Sequence, residues 1–109
     1  MLKQIIMKDC GLKDISGLKD MTTLSFLYIE YNQVEDISVL ATLSNLNELR
    51  ASDNKIEDIS ALRDLKNLNY ANLTDNPVAE DKQYIELWMV LNKRRVKDGL
   101  DEINVGDLY

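Results

Sequence analysis

Several residue types are scarce in this chain, and each scarcity excludes a class of site. The 109 residues include no histidine and one cysteine, Cys10. An intrachain disulfide is therefore impossible, a His/Cys zinc site lacks its ligands, and no reaction can use imidazole as its general base. This cysteine usage predicts a reducing, cytoplasmic setting, although a secreted chain whose leader had been removed would look the same.

Basic side chains and long apolar runs are also in short supply. The chain has 13 Lys plus Arg against 19 Asp plus Glu, for a formal net charge of −6. Because such a surface repels phosphate backbones, we expect no nucleic-acid partner. No apolar run reaches the roughly 18 residues of a membrane span, and no basic start precedes an apolar stretch, so we expect neither membrane association nor a signal peptide in these residues.

One nine-residue pattern, in contrast, is written three times at a spacing of 22 residues. It reads CGLKDISGL at 10–18, NQVEDISVL at 32–40 and NKIEDISAL at 54–62. At this period the chain aligns in eight columns, of which the first holds Leu2, Leu24, Leu46 and Leu68. One unit cannot bury an apolar face by itself, but a stack can, so the period predicts a solenoid of one domain.

The columns match L-x-x-L-x-L-x-x-N/C-x-L, and over residues 2 to about 78 the chain resembles the leucine-rich-repeat family. Its 22-residue unit and its DIS-x-L half are similar to the internalin and phosphatase-regulator-like subclasses. The resemblance implies an α/β fold, namely a right-handed solenoid with a curved parallel sheet. It also implies short 3₁₀ or helical turns on the convex side and a helix that caps the C-terminal end.

Each unit contains signals for a strand, a bend and a tight turn. Leu27 and Ile29 alternate with Phe26 and Tyr28, which is strand periodicity. The asparagine column predicts side chains that turn inward and bind backbone groups. Cys10 shares that column, so we expect a buried thiol that reacts slowly in the folded chain. The last set of signals consists of serines predicted as N-caps of the turns, Ser16, Ser38 and Ser60.

The repeat pattern changes after residue 78. We divide the chain into about three and a half repeats at 1–78 and a C-terminal cap at 79–109. Helical spacing predicts a helix at about 80–95 with Trp88 on its buried face, Gly99 as its stop, and a possible final strand at about 100–105. The basic run at 93–97 is either a docking site for acidic partners or a solvated helix end.

The resemblance also implies that strand residues between the core positions point to the concave side of the sheet. Core columns are already filled by leucines, so Phe26 and Tyr28 are predicted as interface anchors, with cross-strand stacking for stability alone as the alternative. Tyr31 is expected at the rim of this face. The predicted partner-binding residues are Gln4, Ile6, Phe26, Tyr28, Glu30, Glu48, Arg50, Tyr70 and Asn72.

These observations favour a non-enzymatic module that binds a partner protein or peptide, with no catalytic residue, cofactor or metal. One alternative is a truncated or engineered repeat scaffold without a natural partner. Another is a hydrolase that uses the carboxylates of Glu30 and Glu48 on adjacent strands. A strand position follows Met1 at once, so the uncapped strand edge also predicts possible self-association.

Overall fold

A computed structural model describes residues 2–104 of the chain. A strand and a 3₁₀ segment alternate four times along it, and one α-helix follows. The strands are β1 (Gln4–Ile6), β2 (Phe26–Tyr28), β3 (Glu48–Arg50) and β4 (Tyr70–Asn72). The 3₁₀ segments are Ser16–Leu18, Ser38–Thr42, Ser60–Leu62 and Pro77–Glu80, and the helix α1 is Lys82–Lys97. This order repeats with the 22-residue period of the sequence.

The strands form one parallel sheet in the order β1-β2-β3-β4. Its register places residues 22 positions apart opposite one another, which confirms the first two rows expected from the period. The first row is Gln4, Phe26, Glu48 and Tyr70, and the second is Ile6, Tyr28, Arg50 and Asn72. Equivalent residues are therefore neighbours about 4.8 Å apart across the sheet.

The apolar columns fill the space between the sheet and the 3₁₀ segments. From the second unit onward they are closed to solvent, as Leu24, Leu27 and Leu49 show at 0% exposure. In the first unit the columns are partly open: Leu2 is exposed at 52% and Met7 at 40%, whereas Ile15 is buried. No described element packs on the outer side of β1, so the core is closed from the second unit to α1 and reaches the first unit at Ile15.

One buried asparagine per unit joins neighbouring units through the backbone. The Nδ2 of Asn54 donates to the carbonyls of Ile29, Ala51 and Ser52, and its Oδ1 accepts from the Val34 amide at 3.0 Å. Asn32 and Asn76 repeat this arrangement one unit away on either side. The expected inward-facing column is confirmed for the three asparagines.

Cys10 occupies the same column but is exposed, so the expectation of a buried thiol is wrong. Its Sγ donates to the Lys8 carbonyl at 3.1 Å. The asparagines of later units are covered because they bind carbonyls of the unit before them. No described unit precedes Cys10, so its side chain has no equivalent cover.

The aspartate of each DIS motif, rather than the serine, accepts the hydrogen bond at the start of the 3₁₀ turn. The amides of Ser16, Ser38 and Ser60 donate to the carboxylates of Asp14, Asp36 and Asp58 at 2.8–2.9 Å. This is an Asx turn, and the serine N-caps expected from the sequence are not formed. The serine amide, and then the serine hydroxyl, lower the pKa of each of these three carboxyls.

Helix α1 begins at Lys82, two residues later than expected, because residues up to Glu80 form a 3₁₀ segment. Asp81 caps it by accepting from the Gln83 amide at 2.9 Å. Gly99, with φ of +79°, ends it as expected. The Gly99 amide donates to the Val96 carbonyl and the Leu100 amide to the Arg95 carbonyl, which together form a Schellman motif.

The inner face of α1 covers the outer edge of β4. Tyr84, Trp88 and Leu91 are fully buried, as their spacing predicts. The Tyr84 hydroxyl accepts from the Leu73 amide at 2.9 Å and donates to the Ala71 carbonyl at 3.2 Å. The helix thus supplies hydrogen bonds that another strand would otherwise make to this edge.

The residues after α1 form no strand within the described part of the chain, residues 100–104. Asn92 instead binds the backbone of Ile103 on both sides, accepting from its amide at 2.8 Å and donating to its carbonyl at 2.9 Å. Because α1 already covers β4, the tail lies against the helix. Val105, the last residue of the expected strand, is outside the described residues, and the division at residue 78 stays a prediction.

Candidate functional site

The side chains of β1 to β4 that point away from the core form one face of the sheet, called here the concave face. Along β2, Leu27 is fully buried while its neighbour Phe26 is 37% exposed, so the strand periodicity separates the two faces. All nine predicted binding residues are fully or partly accessible to solvent. Gln4, Ile6 and Phe26 are exposed, and Tyr28, Glu30, Glu48, Arg50, Tyr70 and Asn72 are half-buried.

The first half of the concave face carries exposed apolar side chains. Ile6 on β1 is exposed at 56% and lies opposite Tyr28 of β2 in the register. Phe26 precedes Tyr28 by two residues on β2 and is also exposed. Tyr31, at 59%, follows β2 at the expected rim. None of these side chains is needed to fill the core, because the leucine columns already do so.

Tyr31 also has a left-handed backbone, with φ of +58°. The equivalent position in each other unit is an aspartate with nearly the same φ, namely Asp9, Asp53 and Asp75. Aspartate tolerates this conformation, whereas a bulky side chain in it is a genuine outlier. The sequence could have indicated this strain, because tyrosine replaces aspartate at that position in the second unit alone.

The second half of the concave face is organised by one ion pair between two tyrosines. Arg50 donates from Nε and Nη2 to Oε1 of Glu48, at 3.2 and 2.9 Å. The Tyr28 hydroxyl donates to the other oxygen, Oε2, at 2.6 Å. This hydrogen bond, followed by burial, raises the pKa of the Tyr28 hydroxyl. The guanidinium carbon lies 5.1 Å from the Tyr28 ring centroid and 5.2 Å from that of Tyr70.

The arginine thus joins two tyrosines that the sequence placed in separate halves of the face. Tyr70 in turn contacts α1, because its ring meets Trp88 edge to face at 5.5 Å and lies 5.9 Å from the guanidinium carbon of Arg95. Sequence reasoning did not place either helix residue at the concave face. Helical spacing identifies the buried side of α1, but it does not say how the helix is rotated against β4.

The two arginines of the basic run at 93–97 are held by backbone carbonyls, so they are not part of a freely solvated helix end. Arg94 donates from Nη1 to the carbonyls of Leu65 and Leu68, at 2.7 and 2.8 Å. Arg95 donates to the Asp101 carbonyl at 2.8 Å and to the Asn69 carbonyl at 3.4 Å. Both side chains are half-buried. Their hydrogen bonds connect the helix to the backbone just before β4.

The two acids of the hydrolase alternative are engaged by other side chains. Glu48 accepts the three hydrogen bonds from Tyr28 and Arg50. Oε2 of Glu30 pairs with Nζ of Lys8 at 3.5 Å, while its Oε1 is buried without a hydrogen-bond partner. Neither acid lines the better-formed surface cavities within residues 2–104. In the same residues no helix is long and apolar enough to cross a membrane.

Comparison with known proteins gives matches among solved structures. No protein-family model and no curated protein sequence matches the chain. An internalin (inlF) from Listeria monocytogenes matches 69% of the chain at 35% identity, with a TM-score of 0.67. Internalin C2 (inlC2) from the same organism matches 62% of it at 47% identity, with a TM-score of 0.58. The chain spans 22% and 33% of those two chains, respectively.

Proposed function

Because the chain is a leucine-rich-repeat protein with repeats like those of internalins, we propose that it is a non-enzymatic interaction module that binds a partner protein or peptide through its concave face. The observation that carries the proposal is the group of exposed apolar side chains Ile6, Phe26 and Tyr31 on a sheet face that the core does not need. Exposed aromatics with a charged margin are the usual anchors of interfaces.

The strained backbone of Tyr31 supports the same proposal. A left-handed bulky residue costs about 1 to 3 kcal/mol, and such strain is concentrated at functional sites. In the other units an aspartate occupies the position at lower cost. Because Tyr31 is both strained and 59% exposed, its side chain adds little to the stability of the fold and is available to contact a partner.

The size of the concave face limits the kind of partner. Four strands at about 4.8 Å spacing give a face roughly 20 Å wide. A standard protein interface needs about 800 Å² from each side. We therefore infer that the partner contributes a peptide, a helix or a loop, or that it also contacts a flank of the solenoid.

Non-enzymatic action is supported by the engagement of both candidate acids. A general acid or base must be free to exchange a proton with substrate. Glu48 is held by Arg50 and Tyr28, and Glu30 by Lys8. We infer no cofactor and no metal for this function, and we rank the hydrolase below the binding module.

The open edge of β1 supports a second association. Exposed Leu2, Ile6 and Met7 lie along this unit, and an unpaired strand edge is a template for another strand. Self-association through β1 predicts a dimer whose population rises with concentration in analytical ultracentrifugation. Purely monomeric behaviour at high concentration would exclude it.

Placement in the cytoplasm rests on cysteine usage alone and stays part of the proposal. An extracellular placement is the alternative if a leader precedes these residues in a longer chain. Fractionation of cells that produce the natural protein distinguishes the two.

The proposal is tested by measuring how substitutions on the concave face affect a captured partner. Phe26→Ser combined with Tyr28→Ser should leave the fold in place at a cost of roughly 1 to 2 kcal/mol from lost cross-strand contacts. The double substitution should weaken the affinity for the partner at least about tenfold, or 1.4 kcal/mol. Tyr31→Asp should also weaken the affinity for the partner, while it stabilises the chain by about 0.5 to 1 kcal/mol because the backbone strain is relieved.

Ile85→Ser combined with Met89→Ser is the matched control, since both residues are exposed apolar side chains on α1. This pair should change affinity less than about twofold, which is under 0.5 kcal/mol. If the substitutions at 26 and 28 leave binding of the partner unchanged while those on α1 abolish it, the helix is the binding face. Failure to capture any specific partner favours the scaffold alternative.

A further inference from the structure

Two guanidinium groups converge on the ring of Tyr70 at the end of the concave face nearest α1. The guanidinium carbon of Arg50 lies 5.2 Å from the ring centroid, and that of Arg95 lies 5.9 Å from it. Both side chains are half-buried. Both groups carry a positive charge, and partial burial reduces the screening of their attraction to an anion. An anion bound at this end of the face would be attracted by both.

Within the described part of the chain, both guanidiniums retain donors that have no acceptor. Arg50 uses Nε and one Nη2 hydrogen for Glu48, and no acceptor within residues 2–104 bonds its Nη1. Arg95 uses Nε and Nη1 for backbone carbonyls, and its Nη2 has no acceptor in the same part of the chain. In these residues, the side-chain nitrogens and oxygens that are buried without a partner are Glu30 Oε1 and Trp88 Nε1, and no arginine nitrogen is among them. The free nitrogens of both arginines are therefore accessible to solvent.

The open donors of Arg50 have the geometry that a carboxylate prefers. Glu48 occupies the Nε side of the guanidinium, which leaves Nη1 and the second Nη2 hydrogen as a parallel pair. A parallel pair of N–H groups matches the two oxygens of a carboxylate. The Glu48 contact and the rings of Tyr28 and Tyr70 hold the plane of this fork before any ligand arrives.

The charged side chains that contact the Tyr70 ring are both cationic although the whole chain is acidic. Arg50 is paired with Glu48, whereas the contacts of Arg95 with Asp101 and Asn69 are to their backbone carbonyls. Much of the net charge of −6 comes from acids elsewhere, such as those of the DIS motifs. Exposed charges farther away than about 8 Å are largely screened at physiological ionic strength, so the local arginines dominate for a ligand at Tyr70.

We propose that Arg50, Tyr70 and Arg95 form a receptor for the carboxylate of an acidic side chain in the partner segment. This inference rests on the proposed function and adds the chemistry of the partner. The acidic side chain binds the open fork of Arg50 beside Tyr70, with Arg95 adding positive charge at the same ring, and apolar residues of the same segment cover Phe26 and Ile6. The partner segment therefore combines an aspartate or glutamate with neighbouring apolar or aromatic residues.

The test uses the full chain and a displayed library of random 12-residue peptides. Enriched peptides should share an aspartate or glutamate at a fixed distance from an apolar residue. For one such peptide, acid-to-amide substitution at that position should weaken binding at least about tenfold. Arg50→Lys should weaken the same peptide at least about fivefold, because lysine retains the charge but lacks the planar fork.

The matched control is Arg63→Gln, which removes an exposed arginine next to the third 3₁₀ segment and should change binding less than about twofold. A double-mutant cycle provides the direct test. Arg50→Gln and the amide peptide, combined, should lose clearly less than the product of their separate losses, because the two groups contact each other. Circular dichroism and urea midpoints establish that each variant is folded.

Two other outcomes would each overturn the inference. Peptides that depend on Phe26 and Tyr28 but carry no acidic residue, or that bind Arg50→Lys undiminished, remove the carboxylate receptor and leave the proposed function intact. No enrichment at all, or enriched peptides that ignore both the concave aromatics and the arginines, removes the proposed function together with this inference.

Discussion

Tyr70 on β4 meets Trp88 on α1 edge to face, with ring centroids 5.5 Å apart and ring planes at 86°. Trp88 is fully buried, while the other contacts of Tyr70 are the guanidiniums of Arg50 and Arg95 at the concave face. One aromatic pair therefore connects the packing of the capping helix to the geometry of the candidate site. Loosening the helix should disturb the site even though no helix backbone enters the sheet.

Trp88→Ala should cost about 3 to 5 kcal/mol of unfolding free energy, the usual range for a buried large aromatic. Trp88→Phe should cost much less, because it retains a ring against Tyr70 and removes the indole N–H that is buried without a partner. Urea denaturation of the three proteins measures both differences. Native fluorescence typical of a water-exposed indole would contradict the burial of Trp88.

Asn54→Ala should cost at least about 2 kcal/mol, because it leaves the Val34 amide and several carbonyls buried without partners. Asn67→Ala is the matched control. Its side chain is exposed and donates one hydrogen bond, to the Ser44 carbonyl, so the loss should stay within about 0.5 kcal/mol. Equal losses at the two positions would mean that the buried asparagine column does not stabilise the stack.

Arg94→Gln should cost about 1.5 to 3 kcal/mol, because two carbonyls just before β4, those of Leu65 and Leu68, lose a charged donor. Lys93→Gln removes the same charge from an exposed neighbouring position and should change stability by less than about 0.5 kcal/mol. Thermal melts of both variants provide the comparison. If Lys93→Gln is as destabilising as Arg94→Gln, the net charge of the helix end matters and the carbonyl contacts do not.

The DIS aspartates should make stability depend on pH in the acid range. Each has a lowered pKa in the folded chain, so below the ordinary aspartate value of about 3.9 the unfolded chain binds more protons. Their contribution is complete above that value and is lost as the pH falls through the lowered pKa. Changing Asp14, Asp36 and Asp58 to Asn should flatten the fall in urea midpoint between about pH 5 and pH 2.

The control for this pH prediction changes three exposed carboxylates outside the motifs, Glu35, Glu57 and Glu86, to Gln. It removes the same number of charges without touching a serine amide. The wild-type fall in midpoint should persist more fully in this control than in the DIS variant. Identical curves for the two triple variants would show that general charge, and not the Asx turns, sets the acid sensitivity.

Cys10 should react with a thiol reagent in the native chain without denaturant, because its side chain is exposed. Stoichiometric labelling within the time course of a free thiol is the expected result, measured by mass spectrometry. Cys10→Asn should be tolerated, since asparagine fills this column in the three later units. Labelling that begins only in urea would show that the first unit is covered in solution.

The 22-residue period determined a large part of this molecule. It placed the strands, the pairing of Gln4 with Phe26 and of Phe26 with Glu48, and the inward asparagines. Each of these features depends on a residue contacting its equivalent one unit away, so a repeated pattern is sufficient to predict it. Helical spacing did the same for the burial of Trp88.

The tertiary structure decided what differs between units and where the helix meets the sheet. Cys10 and Asn32 share a column, but only Asn32 has a described unit in front of it, so one side chain is exposed and the other buried. The convergence of Arg50 and Arg95 on Tyr70 requires the rotation of α1 against β4. That rotation follows from how individual side chains pack, which no repeat period encodes.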